Sequence, residues 1–103
     1  MPSLAVEISR FVDAHFPGFV ECELVDARGA RHLFIEKAPI VSAEVLGSAS
    51  QYPRSGAIPC AVQKEWQDPE GRSLAQVTTE HPCGVESISG KSNFVVLSSL
   101  LQP

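Results

Sequence analysis

Two soft donors stand two residues apart at His81 and Cys83, with Glu80 and Glu86 close by. Imidazole and thiolate are ligands that zinc prefers, and a closed structural site takes about four of them. Cys22 and Cys60 would have to complete the set, and no C-x-x-C or H-x-x-x-H pair accompanies them. Cys83 could instead act as a nucleophile, with His81 or His32 as its base. A nucleophilic cysteine needs a helix N-terminus or a cation to lower its pKa. The only segment with clear helical spacing lies far away, at residues 3–15. Carboxylate pairs for glycoside chemistry could be drawn from Glu21, Glu23, Glu36 and Glu65. Such pairs need a cleft deep enough to shift one pKa. Ser89-Gly90-Lys91-Ser92 lacks the leading glycine and the following helix of a phosphate loop. Each pattern falls short of what its chemistry requires, so the sequence points to no catalytic residue, no metal and no cofactor.

The composition narrows the classes further. At 103 residues, with 44% hydrophobic and 19% charged, the chain is predicted to form one globular domain with its own core. Its apolar runs are too short to span a bilayer. Glu7 and Arg10 interrupt any leader-like N-terminus, so no secretory signal is expected. Three cysteines at irregular spacing make a poor disulfide framework, which predicts a reducing, cytoplasmic setting. The net charge is −4, and the eight basic residues are scattered from Arg10 to Lys91. Nucleic-acid binders need a basic footprint to release counterions, so that class is disfavoured. An acidic surface suits solubility or a basic partner.

The elements that would position these residues follow from periodicity. Leu4, Ile8, Phe11, Val12 and His15 recur at spacings of three and four, which predicts an N-terminal helix over 3–15, capped by Ser3 and ended by Pro17-Gly18. Val6 and Phe16 broaden its apolar stripe. From Phe19 the period becomes two, giving a strand that turns at Asp26-Ala27-Arg28-Gly29 and returns from Arg31 to Lys37. Turn chemistry alone allows a three-residue loop closed by Gly29. That register sets Glu21 and Glu23 beside Ile35 and Leu33. The alternative pairs Leu24 with Leu33 and Cys22 with Ile35, makes one face apolar, and is the register adopted.

Residues 38–56 are rich in Pro, Gly and Ser and carry no period. Ile40-Val41 could form a short edge strand, and Ser42–Leu46 one helical turn. Ile58 to Trp66 reads as a strand, partly exposed or bulged at Lys64. Asp68-Pro69-Glu70-Gly71 turns it back along Arg72–Thr79, with Leu74 opposite Trp66. Val85–Ile88 and Ser92–Leu97 form a last hairpin around Ser89-Gly90, pairing Val85 with Phe94. The predicted fold class is α+β: one N-terminal helix packed on a curved antiparallel meander of about six strands, with a small barrel as the closed variant.

On the adopted register, Glu21, Glu23, His32, Phe34 and Glu36 share the outer face of the first hairpin. Three acids, an imidazole and a phenyl ring make an anchor and rim suited to a protein partner. The structural reading of the same residues is a solvated face on which Phe34 packs under the 38–56 loop.

Phe19-Val-Glu-Cys-Glu-Leu-Val-Asp-Ala-Arg-Gly29 and His32-Leu-Phe-Ile-Glu-Lys-Ala-Pro-Ile-Val41 resemble short conserved hypothetical proteins of bacterial genomes, and Glu80 to Glu86 extends the likeness. The resemblance implies a bacterial cytosolic context and assigns no site residue. Three functions are expected of such a domain. The first is a non-enzymatic protein-binding module with a basic partner, an immunity protein against a toxin nuclease being one form. The second is a small-ligand protein or enzyme with a pocket between helix and sheet, lined by Phe11, His15, Cys22, Cys60 and Trp66. The third is a homodimer subunit paired through the edge at Ile40-Val41 or at the last strand.

Overall fold

The computed structural model describes residues 1–103 and contains eight strands, one four-residue helix and one short 3-10 turn. In chain order these are β1 (Ser3–Asp13), β2 (Phe19–Val25), β3 (Arg31–Lys37), α1 (Ala38–Val41), β4 (Arg54–Pro59), β5 (Ala61–Gln67), β6 (Ser73–Thr78), β7 (Asn93–Leu97), the 3-10 turn Ser98–Leu100 and β8 (Leu101–Gln102). The first antiparallel sheet runs β3-β2-β1-β4, and β8 adds to the start of β1. The second runs β5-β6-β7. The expected α+β architecture, a helix on a six-stranded meander or a small barrel, is thus replaced by two antiparallel sheets.

The predicted N-terminal helix is strand β1, and bulges explain why its spacing misled. Leu4, Val6 and Ile8 alternate inward with period two and are buried. An irregularity between Ile8 and Arg10 inserts Ser9 without a partner on β2, and a second follows between Phe11 and Asp13. Each bulge shifts the side-chain phase by one residue. Phe11, rather than Arg10, then packs on the core. Apolar side chains therefore fall at 4, 8 and 11, the spacing of a helix face. The Ser9 hydroxyl is buried with no hydrogen-bond partner.

Turn chemistry also decides the β2–β3 register, and against the one adopted from face polarity. Asp26 N–H donates to the Ala30 carbonyl at 2.9 Å, and Gly29 N–H to the Asp26 carbonyl at 3.0 Å. Gly29 sits at φ +81°, the left-handed position that closes a three-residue hairpin loop. The Asp26 carboxylate accepts the backbone N–H groups of Arg28 and Ala30 at 2.9 and 3.0 Å. These bonds set Cys22 opposite Phe34, Leu24 opposite His32, Glu21 opposite Ile35 and Glu23 opposite Leu33.

Residues 38–56 form neither the edge strand nor the 42–46 helical turn expected of them. Ala38–Val41 is a single helical turn with a proline at its start, where no amide donor is needed. It lies against β4 because Gly56 has no side chain. A Cβ there would stand 2.7 Å from the Ile8 side chain and 3.0 Å from the Val41 carbonyl oxygen. The strand predicted from Ile58 to Trp66 is broken at Cys60, whose N–H donates to the Pro2 carbonyl at 3.0 Å. The first part joins one sheet and the second the other. The bulge expected at Lys64 lies between Val62 and Lys64, and Trp66 faces Leu74 as predicted.

Val85–Ile88 is not a strand. Val85 N–H donates to the Thr79 carbonyl, the Thr79 hydroxyl donates back to the Val85 carbonyl at 2.7 Å, and Ile88 N–H donates to the Leu33 carbonyl. With that segment occupied, β7 pairs with β6, and Phe94 faces Val77 rather than Val85. Residues of both sheets form one core of 17 buried side chains. No helix is long and apolar enough to cross a membrane.

Candidate functional site

The register separates the five residues predicted to share one face. Glu21 and Glu23 lie on the outer side of the first sheet with Leu33 and Ile35. Phe34 points inward and is fully buried, with its ring edge-on to Phe94 at 5.7 Å between centroids. His32 and Glu36 lie on that inner side, opposite Leu24 and Val20. The His32 Nε2 lies 2.8 Å from Asp26 Oδ2, and its ring packs edge-on to Phe94 at 4.9 Å. The phenyl ring read as an anchor is therefore a core element, and the proposed five-residue patch does not exist as one surface.

On the outer face the acids are mostly matched. Arg10 donates twice to Glu21, and Arg31 pairs with Glu23 at 3.1 Å. Glu7 stands directly opposite Glu23 on β1 and has no ion-pair partner. Glu7, Glu23 and Arg54 line one shallow concavity, and Arg54 is bonded to Glu44.

The nucleophile and metal patterns do not assemble. Cys22 and Cys60 are buried in the core and Cys83 is exposed. Burial, reinforced by Glu36 and Glu21, pushes the Cys22 thiol up to about 12, and burial also raises Cys60. No group of three or more His, Cys, Asp or Glu side chains converges. Ser89-Gly90 is a tight turn in which Gly90 N–H donates to the Ser87 carbonyl at 2.9 Å. The pocket expected between helix and sheet has no helix to form it. Of its named lining, Cys22 and Cys60 are core residues, Phe11 packs against the core from the rim of a surface groove, and His15 and Trp66 lie elsewhere on the surface.

The exposed aromatic side chain is Phe16, which the sequence places in a helical stripe. It is 85% exposed, at the tip of the turn between β1 and β2. The turn beneath it is firmly bonded. Asp13 Oδ1 accepts the backbone N–H of His15 at 2.9 Å and lies 2.6 Å from its Nδ1. Those bonds, first from the His15 backbone and then from its ring, hold Asp13 below the usual carboxylate range. The same carboxylate raises His15. Gly18 N–H donates to the His15 carbonyl at 2.6 Å, and the Gly18 carbonyl accepts from Ala38 at 2.8 Å, tying the turn to α1. Gly18 sits at φ +91°, and a Cβ there would meet the Phe11 ring at 3.5 Å.

Beside Phe16 lies a concavity of about 520 Å³ lined by Phe11, Pro17, Pro39, Leu46 and other uncharged residues. Val45, fully exposed, flanks a second small hollow that shares Pro17, Pro39 and Leu46. An aromatic residue directly before Pro-Gly is a signal the sequence does carry, since a side chain at a turn tip has no sheet face to pack on. The helical spacing of 3–15 hid it.

Comparison with family models, with curated proteins and with solved structures gave no match.

Proposed function

We propose that this protein is a non-enzymatic binding module that engages another protein through Phe16 and the uncharged groove beside it. The observation that carries the reading is an aromatic ring left in water by a well-bonded turn, against a groove with no charged lining. Burying such a ring in a partner gains about 1.5–3 kcal/mol. A turn held in place loses little further entropy when it binds. Aromatic anchors in desolvated pockets are the residues that dominate binding energy at protein interfaces. The Asp13–His15 pair supplies a polar rim next to the anchor. The net charge of −4 steers a basic partner toward the molecule, as it would for an inhibitor of a basic toxin.

The test compares wild-type protein with Phe16→Ala as immobilised bait in a native bacterial lysate. Wild type retains one protein at stoichiometric level and Phe16→Ala, folded by circular dichroism, does not. Equal retention by both would refute the assignment of Phe16. Sedimentation of the purified protein serves as the second arm. Self-association abolished by Phe16→Ala would make the occupant a second copy of the chain, in place of a separate partner.

A further inference from the structure

A second concavity, of about 410 Å³, lies where the β2–β3 hairpin tip meets the second sheet. Its lining is unlike the rest of this acidic chain. Three of the eight basic residues, Arg28, Arg72 and Lys91, converge there, with Asp26 the one acid. Asp26 is already engaged by the N–H groups of Arg28 and Ala30 and by the His32 ring. Arg72 bridges the two parts of the fold: its Nε donates to Asp68 at 2.8 Å and its Nη1 to the Ala27 carbonyl at 3.1 Å. A further bond, from Ala27 N–H to the Val95 carbonyl at 2.9 Å, fixes the hairpin tip against β7. Arg28 and Lys91 make no ion pair. Trp66, the one tryptophan, lines the same cleft in a half-buried position and carries Lys64 over its ring at 5.1 Å.

We infer that this cleft binds a small ligand that joins a planar ring to an anionic group, a mononucleotide being the chemical class that fits. Unpaired Arg and Lys side chains give an anion charge-assisted hydrogen bonds about twice as strong as neutral ones. The Trp66 indole supplies a stacking surface for a base, and the volume falls in the range of small-ligand sites. The Phe16 groove has an aromatic ring as well but no cation to hold an anionic group. The site is sized for one nucleotide, and the acidic remainder of the surface repels a longer strand.

The single tryptophan makes the cleft its own reporter. Intrinsic fluorescence and the indole N–H resonance of Trp66 are followed on titration with adenosine monophosphate, adenosine, inorganic phosphate and a short single-stranded oligonucleotide. Adenosine monophosphate gives a saturable change, and adenosine and phosphate each bind at least about tenfold more weakly. Arg28→Ala with Lys91→Ala weakens adenosine monophosphate about tenfold or more, and removing the same charge elsewhere, by Arg10→Ala with Lys37→Ala, leaves it unchanged. No saturation in the millimolar range, or equal weakening by both double variants, would overturn the proposal. Tighter binding of the oligonucleotide than of the mononucleotide would overturn the assignment to a free nucleotide. None of these outcomes depends on Phe16, so this site and the protein-binding groove stand or fall separately.

Discussion

Phe16 and Trp66 are both aromatic side chains beside concavities of similar size, about 520 and about 410 Å³, yet their surroundings differ in kind. Around Phe16 nothing is charged, and the ring itself projects into water. Three cations line the Trp66 cleft, and the ring itself is half-buried with a fourth, Lys64, over it. The difference comes from which part of the chain builds each wall. The Phe16 groove is made by Pro- and Gly-rich turns around α1, which contribute apolar surface and backbone. The Trp66 cleft is made by two hairpin tips and a loop, where charged residues are placed because they are solvated. A groove of the first kind gains free energy by excluding water, whereas one of the second kind gains it by direct charge pairing. Salt should therefore separate the two: added ions weaken binding at Trp66 by screening its charge pairs, whereas at Phe16 they slow the steered encounter and leave dissociation little changed.

Both sites rest on a first sheet whose inner face holds Phe34 and whose outer face holds Ile35, and the largest expected effect lies there. Phe34→Ala should cost about 3–5 kcal/mol in urea unfolding, through lost burial and an unfilled cavity next to Phe94. Ile35→Ala, on the outer side, should cost less than about 1 kcal/mol. A reversed order would restore the register chosen from face polarity and place Phe34 outside.

Gly56→Ala comes next. The added methyl meets the Ile8 side chain and the Val41 carbonyl, so overpacking should cost about 1–3 kcal/mol and loosen α1. Because α1 walls the Phe16 groove and not the Trp66 cleft, thermal melts combined with amide chemical shifts should show the disturbance around Ile8, Gly56 and α1, extending to Leu46 but not to Trp66. Shifts spreading equally to Trp66 would show that the two regions are not independent.

Asp26 anchors the other wall. Burial alone would raise its pKa, but the bonds from His32, Ala30 and Arg28 outweigh it and hold the carboxyl below its usual range. A carboxyl whose folded pKa is depressed adds stability that is present above its unfolded pKa, near about 3.9, and is lost as pH falls through the lower folded value. Asp26→Asn should therefore cost about 1–3 kcal/mol at neutral pH, by loss of charge-assisted hydrogen bonds. The gap from wild type should close in acid unfolding titrations. A gap that is independent of pH would mean the charge of Asp26 contributes nothing.

The smallest effect belongs to the outer face. Glu7→Gln removes one of two like charges facing each other across β1 and β2 and should raise stability by about 0.2–1 kcal/mol at low salt. The gain should vanish in high salt. A loss of stability at low salt would mean that Glu7 has a favourable partner.

The sequence was most legible where turn chemistry acts locally. Asp68 to Gly71 and the Trp66–Leu74 pairing follow from residue type and alternation, as does the bulge near Lys64. It was least legible where a long-range element resets the phase. The bulge at Ser9 gives a strand the spacing of a helix, and nothing within residues 3–15 reveals that β2 and β4 flank it. The first hairpin shows two local signals in conflict. Gly29 in a left-handed position fixed the register, and the tidier apolar face was abandoned because the core recruits Phe34 and Phe94 from different sheets. Of the predicted site, the acids Glu21 and Glu23 are on a surface, but Phe34 is buried and the exposed aromatic ring is Phe16. The Trp66 cleft was invisible because Arg28, Arg72 and Lys91 are far apart in sequence and meet only through the packing of three turns.

On the proposed function, Phe16 is exposed for a partner and contributes nothing to the fold. Its most direct test is Phe16→Ala, read in parallel by urea unfolding and by partner capture. The substitution should change the unfolding free energy by no more than about 0.5 kcal/mol and abolish capture completely. A loss of several kcal/mol in the isolated protein, or capture undiminished in a folded variant, would contradict it.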